Sequence, residues 1–379
     1  MKNNFCVIPW VSITSDNAGL VRPCCKFAEK DKQREYSTGS LKDNTYEEIW
    51  NGTDFRKIRQ AFIDNKQIPE CSSCWNEEAA GLRSYRNTYN KSFLEDREYG
   101  LVADPPKVVD LKLSNVCNFK CRMCNYEYSS LILKEDKIHR GYKVSDESYY
   151  LSNKILDTDN ESYFFDNIVP NLVQIEFTGG EPFVSPEARK VIKLLAQSEY
   201  SKNITVQITT NGSIINKGIL SDLQNFKQVR MAVSIDDIGP RLEYQRKGAA
   251  WDTIQNNILT LKSQDWISLN IHPTINNYNI WDIDELLDWA DDHKISTVIN
   301  VLHGPERLCI KNLHDVIKEK ILEKHGDDRR IHNVLTYMSD NRDPDVVHFI
   351  SETEFIDNIR NEAFKDIFPE WSKLIYDYM

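Results

Sequence analysis

Val108 to Asn125 reads VVDLKLSNVCNFKCRMCN. A short apolar run gives way to a loop carrying Cys117, Cys121 and Cys124. Three cysteines this close together cannot all pair with one another as disulfides, but they can converge on one inorganic centre. A zinc ion completed by a remote fourth ligand is one such centre. Short motifs acquire meaning from their surroundings.

Downstream, apolar strand-like runs alternate with helical stretches as far as His303. The strands read from the pattern are VVDLKLS (108–114), VQIEFTG (173–179), ITVQITT (204–210), VRMAVSI (229–235), SLNIHPTI (268–275) and TVINVLH (297–303). Helical periodicity fills SPEARKVIKLLAQS (185–198) and IWDIDELLDWADDHK (280–294). Repeated β–α units argue for a parallel sheet with helical cover. Chemistry on parallel α/β sheets sits at the carboxyl ends of the strands, and further motifs fall there. FTGGEPF (177–183) ends the second strand, TTNGS (209–213) the third, SIDD (234–237) the fourth and TINNYN (274–279) the fifth. RLEYQRKG (241–248) follows the fourth. Taken singly, Gly-Gly-Glu and Asn-Gly are ordinary turns and Asp is a common cap. Their recurrence at strand ends, behind the cysteine loop, sets them apart.

Upstream, residues 1–90 hold Cys6, Cys24, Cys25, Cys71 and Cys74. VIPWVSITSDNAGLVRPCC predicts a hairpin turning at Asn17 to Gly19. TYEEIWNGTDFRKIRQAFI repeats Ile49, Trp50, Phe55, Ile58 and Phe62 at helical spacing, with Asn51-Gly52 breaking the helix in two. IPECSSCW places a C-x2-C pair in a tight turn. LRSYRNTYNKSF (82–93) interleaves basic and aromatic residues and reads as a half-buried helix joining two units. Asp104-Pro105-Pro106 closes a linker over 91–107. Beyond 305 the chain is polar and helical in pattern, a cap over 306–379 that carries Cys309 and no recognisable motif.

The chain has 379 residues, enough for one large domain and a smaller one. No apolar run approaches the ~20 residues of a membrane span, and MKNNFCVIPW has no secretory pattern. A net charge of −11 argues against non-specific nucleic-acid binding. Of nine cysteines, eight lie in the first third. Without a signal peptide, that clustering reads as metal sites in a reducing, cytoplasmic compartment.

The C-x3-C-x2-C loop followed by Gly179-Gly180-Glu181 and the strand-end polar residues resembles the radical S-adenosylmethionine (radical SAM) superfamily. The C-x12-G-x4-C run from Cys6 through Gly19 to Cys24, with the distant Cys71-x2-Cys74, resembles the SPASM/twitch auxiliary-cluster domain. Such domains generally follow the core, whereas here the unit precedes it. The resemblance implies an α/β fold: a partial (β/α)6 radical SAM barrel over 108–305, a small N-terminal α+β twitch-type iron–sulfur domain over 1–90, and a helical C-terminal extension. It implies that Cys117, Cys121 and Cys124 hold three irons of a 4Fe–4S cluster, leaving one iron open, since four thiolates would close the cluster to substrate. Met123 stands where an aromatic often precedes the last cysteine, and a thioether can fill that space. Cys6, Cys24, Cys71 and Cys74 are the implied ligands of a second, auxiliary 4Fe–4S cluster. Cys25 could replace Cys24, but neighbours on a strand point oppositely, so not both. A four-cysteine zinc knot is the alternative for this set.

For S-adenosylmethionine (SAM), the resemblance implies Gly179, Gly180 and Glu181 at the methionine amino group. Asn211, Ser234 and Asp236 are expected at the ribose and carboxylate, and Asn276 beside the adenine. Arg246 is expected to pair the SAM carboxylate in bidentate fashion, with Arg241 the alternative. The implied activity is reductive cleavage of SAM to a 5′-deoxyadenosyl radical that takes a hydrogen atom from a substrate, fed by a donor such as flavodoxin or ferredoxin. A peptide is the favoured substrate class, as in maturase-like relatives, although no leader-binding module is read before Cys6. Oxidation or rearrangement of a sugar or nucleotide is the alternative, and a non-catalytic Fe–S or zinc module is a second. Cys309 is expected to be a small buried hydrophobe, not a hydrogen donor.

Overall fold

The computed structural model describes residues 4–28, 37–79, 81, 83–143, 158–339 and 344–378. The chain packs as two compact units, one of residues 1–116, 143–208 and 216–230, the other of 117–142, 209–215 and 231–379. The fold is α/β with mostly parallel strands, as the alternating pattern implies. Five of the six expected strands of the alternating region are found, as β4 (Val108–Lys112), β5 (Gln174–Thr178), β6 (Thr205–Thr210), β7 (Gln228–Val233) and β8 (Ile267–Ile271), while the sixth, expected over 297–303, is broken into β9 (Ser296–Thr297) and a separate Asn300–Val301. No described helix is long and apolar enough to cross a membrane.

In the first unit the N-terminal hairpin is built from β1 (Ser12–Ser15) and β2 (Leu20–Arg22), with β3 (Gly39–Ser40) antiparallel beside β2. β1 then pairs parallel with β4, Thr14 opposite Asp110, and β4 with β5, Asp110 opposite Glu176. β5 pairs parallel with β6, Glu176 opposite Gln207. Side chains in register share a face. One face is therefore apolar, with Ile13, Val109, Leu111, Ile175, Phe177, Val206 and Ile208 all buried. The opposite face carries Thr14, Asp110, Lys112, Glu176, Thr178 and Gln207. Parallel strands covered on both sides normally read as continuous apolar runs, so this alternation marks a polar surface inside the unit.

The helical stretch after the hairpin divides as expected, into Tyr46–Trp50 and Thr53–Ile63. Thr45 and Glu48 form a reciprocal capping box at its start. Two elements differ from the sequence reading. A short helix, Ile8–Val11, precedes β1. The C-x2-C pair lies on a 3-10 turn, Pro69–Cys71, running into a helix, Ser72–Ala79, instead of a tight turn. Helical spacing i, i+3 brings Cys71 and Cys74 to one side. The basic–aromatic stretch is a helix, Tyr85–Phe93, with Arg86 and Tyr89 buried.

In the second unit SLNIHPTI is interrupted. β8 ends at Ile271, and Thr274–Ile275 pairs separately, in parallel, with Asn300–Val301. Pro273 between them lacks the donor that would continue a ladder. The C-terminal segment forms helices Asp315–His325, His332–Met338, Val346–Arg360, Phe364–Ile367 and Pro369–Asp377. Their apolar residues, among them Phe349, Phe364 and Trp371, join one core with Phe119, Ile235 and Tyr244. Cys117, Cys121 and Met123 pack against that core.

Candidate iron–sulfur and SAM site

Cys117, Cys121 and Cys124 are each partly buried. The loop is shaped by its own backbone: the Cys124 N–H donates to the Cys121 carbonyl (3.1 Å) and the Phe119 N–H points at the Cys117 sulfur (3.4 Å). Lys120–Cys121 then pairs antiparallel with Arg246–Lys247, Cys121 opposite Arg246, in a two-residue ribbon. Gly248 permits this approach, because a Cβ there would stand 2.8 Å from the Asn118 carbonyl at a φ of +106°.

Arg246 is the centre of the polar arrangement. Its Nε donates to Asp236 Oδ2 at 2.7 Å and its Nη1 lies 3.8 Å from the Cys121 sulfur. Burial opposes its charge, but Asp236 and then Cys121 outweigh it and hold the guanidinium above its ordinary value. Burial also pushes the Cys121 thiol up, against the pull of Arg246. Arg241 is placed elsewhere, paired with Asp237 (2.9 Å) and Glu285 (2.5 Å).

The other expected SAM contacts divide into two groups. Asn211 donates to Asn118 Oδ1 (2.9 Å) and accepts from the Ser213 backbone and hydroxyl, while Asn118 donates to Ser213 Oγ (2.9 Å). The loop after β6 is thereby tied to the cysteine loop through Asn118, a residue the sequence reading passed over. Ser234 is half-buried at the end of β7, its N–H on the Thr210 carbonyl (2.8 Å). Asp236 and Asn276 are fully buried, and their side chains hold the protein itself. The second oxygen of Asp236 takes the Thr274 N–H (2.9 Å). Asn276 bonds to the Thr274 carbonyl and the Tyr278 N–H, both at 2.9 Å. Asn279, also passed over, donates to the Asp236 carbonyl (3.1 Å) and accepts the Asn276 N–H (2.8 Å).

Gly179, Gly180 and Glu181 lie in the first unit, against the strand that leads into the cysteine loop. The Gly180 N–H donates to the Ser114 carbonyl (3.1 Å) and the Glu181 N–H to the Val116 carbonyl (2.8 Å). A Cβ on Gly180 would stand 2.3 Å from that Val116 carbonyl, so the close approach that requires glycine here is to the chain itself. Glu181 is buried, with Oε1 accepting the Phe183 N–H at 3.1 Å.

Cys6, Cys24 and Cys74 are buried and Cys71 half-buried; Cys6 and Cys24 share one apolar cluster with Val7, Trp10, Phe27 and Tyr89, and Cys71 packs against it. Burial pushes the Cys6 thiol up to about 12 and Cys24 well above its ordinary value, and the neighbouring cysteines raise them further. Cys71 and Cys74 are raised for the same first reason. Cys25 is exposed, with Asp110, Lys112, Glu176 and Lys26 as its charged neighbours. None of the nine cysteines forms a disulfide.

Among the described residues no three His, Cys, Asp or Glu side chains gather as ligands of a single metal ion. A polynuclear cluster asks for something different, one thiolate per iron spread around it. The donor chemistry fits. Buried thiols that repel one another as thiolates are stable in that form only around a cationic centre, whose binding releases their protons.

A family model described as the radical SAM superfamily matches residues 111–290, and one described as the SPASM iron–sulfur cluster-binding domain matches residues 6–75. The chain contains a radical SAM domain and a SPASM domain. The cofactors of these domains are 4Fe–4S clusters and SAM. The chain is 24% identical over 293 residues to the radical SAM cyclopropyl synthase TigE of Paramaledivibacter caminithermalis, covering 72% of this chain and 58% of that protein. It is 25% identical over 191 residues to the antilisterial bacteriocin subtilosin biosynthesis protein AlbA of Bacillus subtilis, covering 49% of this chain and 37% of that one. Among solved structures, Streptococcus suis SuiB bound to SAM matches with a TM-score of 0.37 and 15% identity, over 74% of this chain and 61% of SuiB. The chain thus spans less than two thirds of the length of these relatives. The SPASM match begins at Cys6 and ends one residue past Cys74, and the radical SAM match includes all three loop cysteines. Neither match includes residues 291–379.

Proposed function

We propose that this chain is an enzyme that cleaves SAM reductively and uses the resulting radical to take a hydrogen atom from a peptide. The observation that carries the reading is the placement of Arg246, a buried guanidinium held by Asp236 and directed at the sulfur of Cys121. A fixed, planar cation beside a cluster ligand suits the carboxylate of SAM, which guanidinium pairs in two-pronged fashion. Cys117, Cys121 and Cys124 hold the core cluster; Cys6, Cys24, Cys71 and Cys74 hold the auxiliary one. Cluster and SAM, when bound, supply the homolytic chemistry. The remaining roles belong to the chain. Asn211 and Ser234 contact SAM from the strand ends. Asp236 orients Arg246. Asn276 and Asn279 fix the turn that supports Asp236.

The substrate assignment rests on different ground. Similarity to AlbA, named for the biosynthesis of a bacteriocin, supports a peptide. The polar face of β4 and β5 supports a hydrogen-bonding substrate. There Lys112 pairs with Asp110 (2.7 Å), Thr178 donates to Asp110 (3.0 Å) and Gln174 donates to Glu176 (2.6 Å). A flavodoxin or ferredoxin serves as electron donor. The SPASM cluster, held by Cys6, Cys24, Cys71 and Cys74, would supply an electron acceptor for substrate oxidation or a direct substrate ligand.

The test is anaerobic reconstitution, reduction and assay for 5′-deoxyadenosine. Wild type is expected to form it slowly from SAM alone. Arg246→Lys, which keeps the charge but loses the fork, is expected to raise the KM for SAM by about tenfold or more. No 5′-deoxyadenosine from fully reconstituted wild type would overturn the reading. Deuterium passing into 5′-deoxyadenosine from a labelled sugar or nucleotide, and from no peptide, would overturn the substrate assignment alone.

A further inference from the structure

Residues 346–362 lie beyond both matched domains, yet they grip the cysteine loop on either side of Cys121. Arg122, the next residue, has a side chain 0% exposed. Its Nη2 donates to Asp357 Oδ1 (2.5 Å) and Glu362 Oε2 (2.7 Å), and its Nε to the Tyr244 carbonyl (3.1 Å). Its guanidinium carbon stands 3.6 Å from the centre of the Tyr244 ring. Asp357 is itself immobilised, accepting the Tyr244 hydroxyl on Oδ1 (2.8 Å) and the Phe364 N–H on Oδ2 (2.7 Å). Asn361 turns the chain in the left-handed conformation at a φ of 53°, just before Glu362. Lys120, the preceding residue, is held too. Its carbonyl accepts from Arg360 Nη1 (2.9 Å), and its ammonium shares Glu135 with Arg360, whose Nη2 lies 2.7 Å from Oε1.

Apolar side chains of similar volume stabilise a core as well as a buried ion pair does. What these charges add is direction, because a guanidinium with three acceptors and a stacked ring has one orientation. Cys121 stands between the two gripped residues and receives Arg246 on its sulfur.

We propose that Asp357, Glu362 and Arg360 are positioning residues for the core cluster, fixing Arg122 and Lys120 so that Cys121 meets its iron and Arg246 in one geometry. This rests on reading Cys117, Cys121 and Cys124 as the cluster ligands. The full chain carries its own control, since the SPASM cluster lies outside this grip.

The experiment compares Asp357→Asn, Arg122→Lys and Arg360→Met with wild type, each reconstituted anaerobically with both clusters. Iron loss to a chelator and the electron paramagnetic resonance of the reduced core cluster, with and without SAM, are followed. Asp357→Asn and Arg122→Lys are expected to lose core iron about 10-fold to 100-fold faster, the usual effect of removing a ligand's outer partner. They are also expected to show an altered SAM-bound signal, while auxiliary iron leaves at the wild-type rate. Arg360→Met, which removes one hold only, is expected to show a smaller change of the same kind. It also stands in if the Arg122 variant does not fold. Folded variants with wild-type core iron loss and signal would overturn the proposal, as would equal acceleration of both clusters, which marks general destabilisation. Cys117→Ala separates the premise: if it retains all iron, the ligand assignment fails and not the grip.

Discussion

The two cysteine sets solve opposite problems. Cys6, Cys24, Cys71 and Cys74 come from segments up to 68 residues apart, and the first three sit with Trp10, Phe27 and Tyr89 in an apolar cluster. Cys117, Cys121 and Cys124 fall within eight residues, in a loop bordered by Arg246, Arg122, Lys120 and Arg360. Four dispersed donors staple distant pieces of chain and leave no ligand position free. Three adjacent donors cannot staple anything, so their loop must be held by the protein. The difference separates a cluster that supports the fold from one that the fold supports.

The largest expected effect tests that contrast at the core. Replacing Cys117, Cys121 and Cys124 together with Ala is expected to lower iron from about eight to about four per chain and to abolish 5′-deoxyadenosine formation. Its thermal unfolding is expected to change little, because the loop is held by polar contacts and by packing of Phe119. The converse change, Cys71→Ala with Cys74→Ala, is expected to keep SAM cleavage and lose product. It is also expected to cost the first unit at least about 4 kcal/mol, the stabilisation given by a ligand present at a thousand times its Kd. Calorimetry beside the activity assay reads both. If the core triple variant unfolds and the auxiliary pair does not, the contrast is inverted.

A smaller effect concerns the polar face of the first unit. Burial, and then Asp110, raise the Glu176 carboxyl from 4.5 to about 7. A carboxyl raised on folding holds its proton more tightly in the folded state. Its contribution is therefore present at low pH and is lost as pH rises from 4.5 through 7. Wild type is expected to lose on the order of 1–3 kcal/mol over that window through this group. Glu176→Gln is expected to flatten the slope, measured as urea midpoints at pH 5 and pH 8. A variant slope equal to that of wild type would show the group to be unperturbed.

The smallest effect is at Cys309. Its sulfur is buried and points to the Pro305 carbonyl at 3.6 Å, beside Leu308 and Ile310 in the core of the second unit. Cys309→Ala is expected to cost about 1 kcal/mol and leave product formation unchanged. Solvent deuterium in the product that disappears in the variant would instead make this thiol a hydrogen donor.

Much of the molecule could be read along the chain. Strand alternation located β4 to β8, because a face that meets a core and a face that does not impose a period of two on the residues themselves. Asn51-Gly52 split the N-terminal helix for an equally local reason. The C-x2-C pair was read as a turn because Gly, Pro and cysteine spacing carry no sign of the helix that follows. In the candidate site, residue types at strand ends were informative and their partners were not. Asn118 and Asn279 resemble any other loop asparagine until the residues they bond to, 93 and 43 positions away, are brought to them.

By itself the sequence determined the donors: which cysteines could act together, and that glycine would stand before Glu181. These follow from spacing and side-chain chemistry, which are local. Tertiary structure alone placed Arg246 beside the cysteine loop and Arg241 against Asp237, since the two are five residues apart on one stretch and only the pairing of 246–247 with 120–121 separates them. It turned Asp236 and Asn276 inward, to hold Arg246 and a turn. It also gave the unassigned C-terminal helix Val346–Arg360 a task, by carrying Asp357 to Arg122 across 235 residues of chain. An ion pair at that separation leaves no period in the sequence, because its geometry is set by how the intervening core packs.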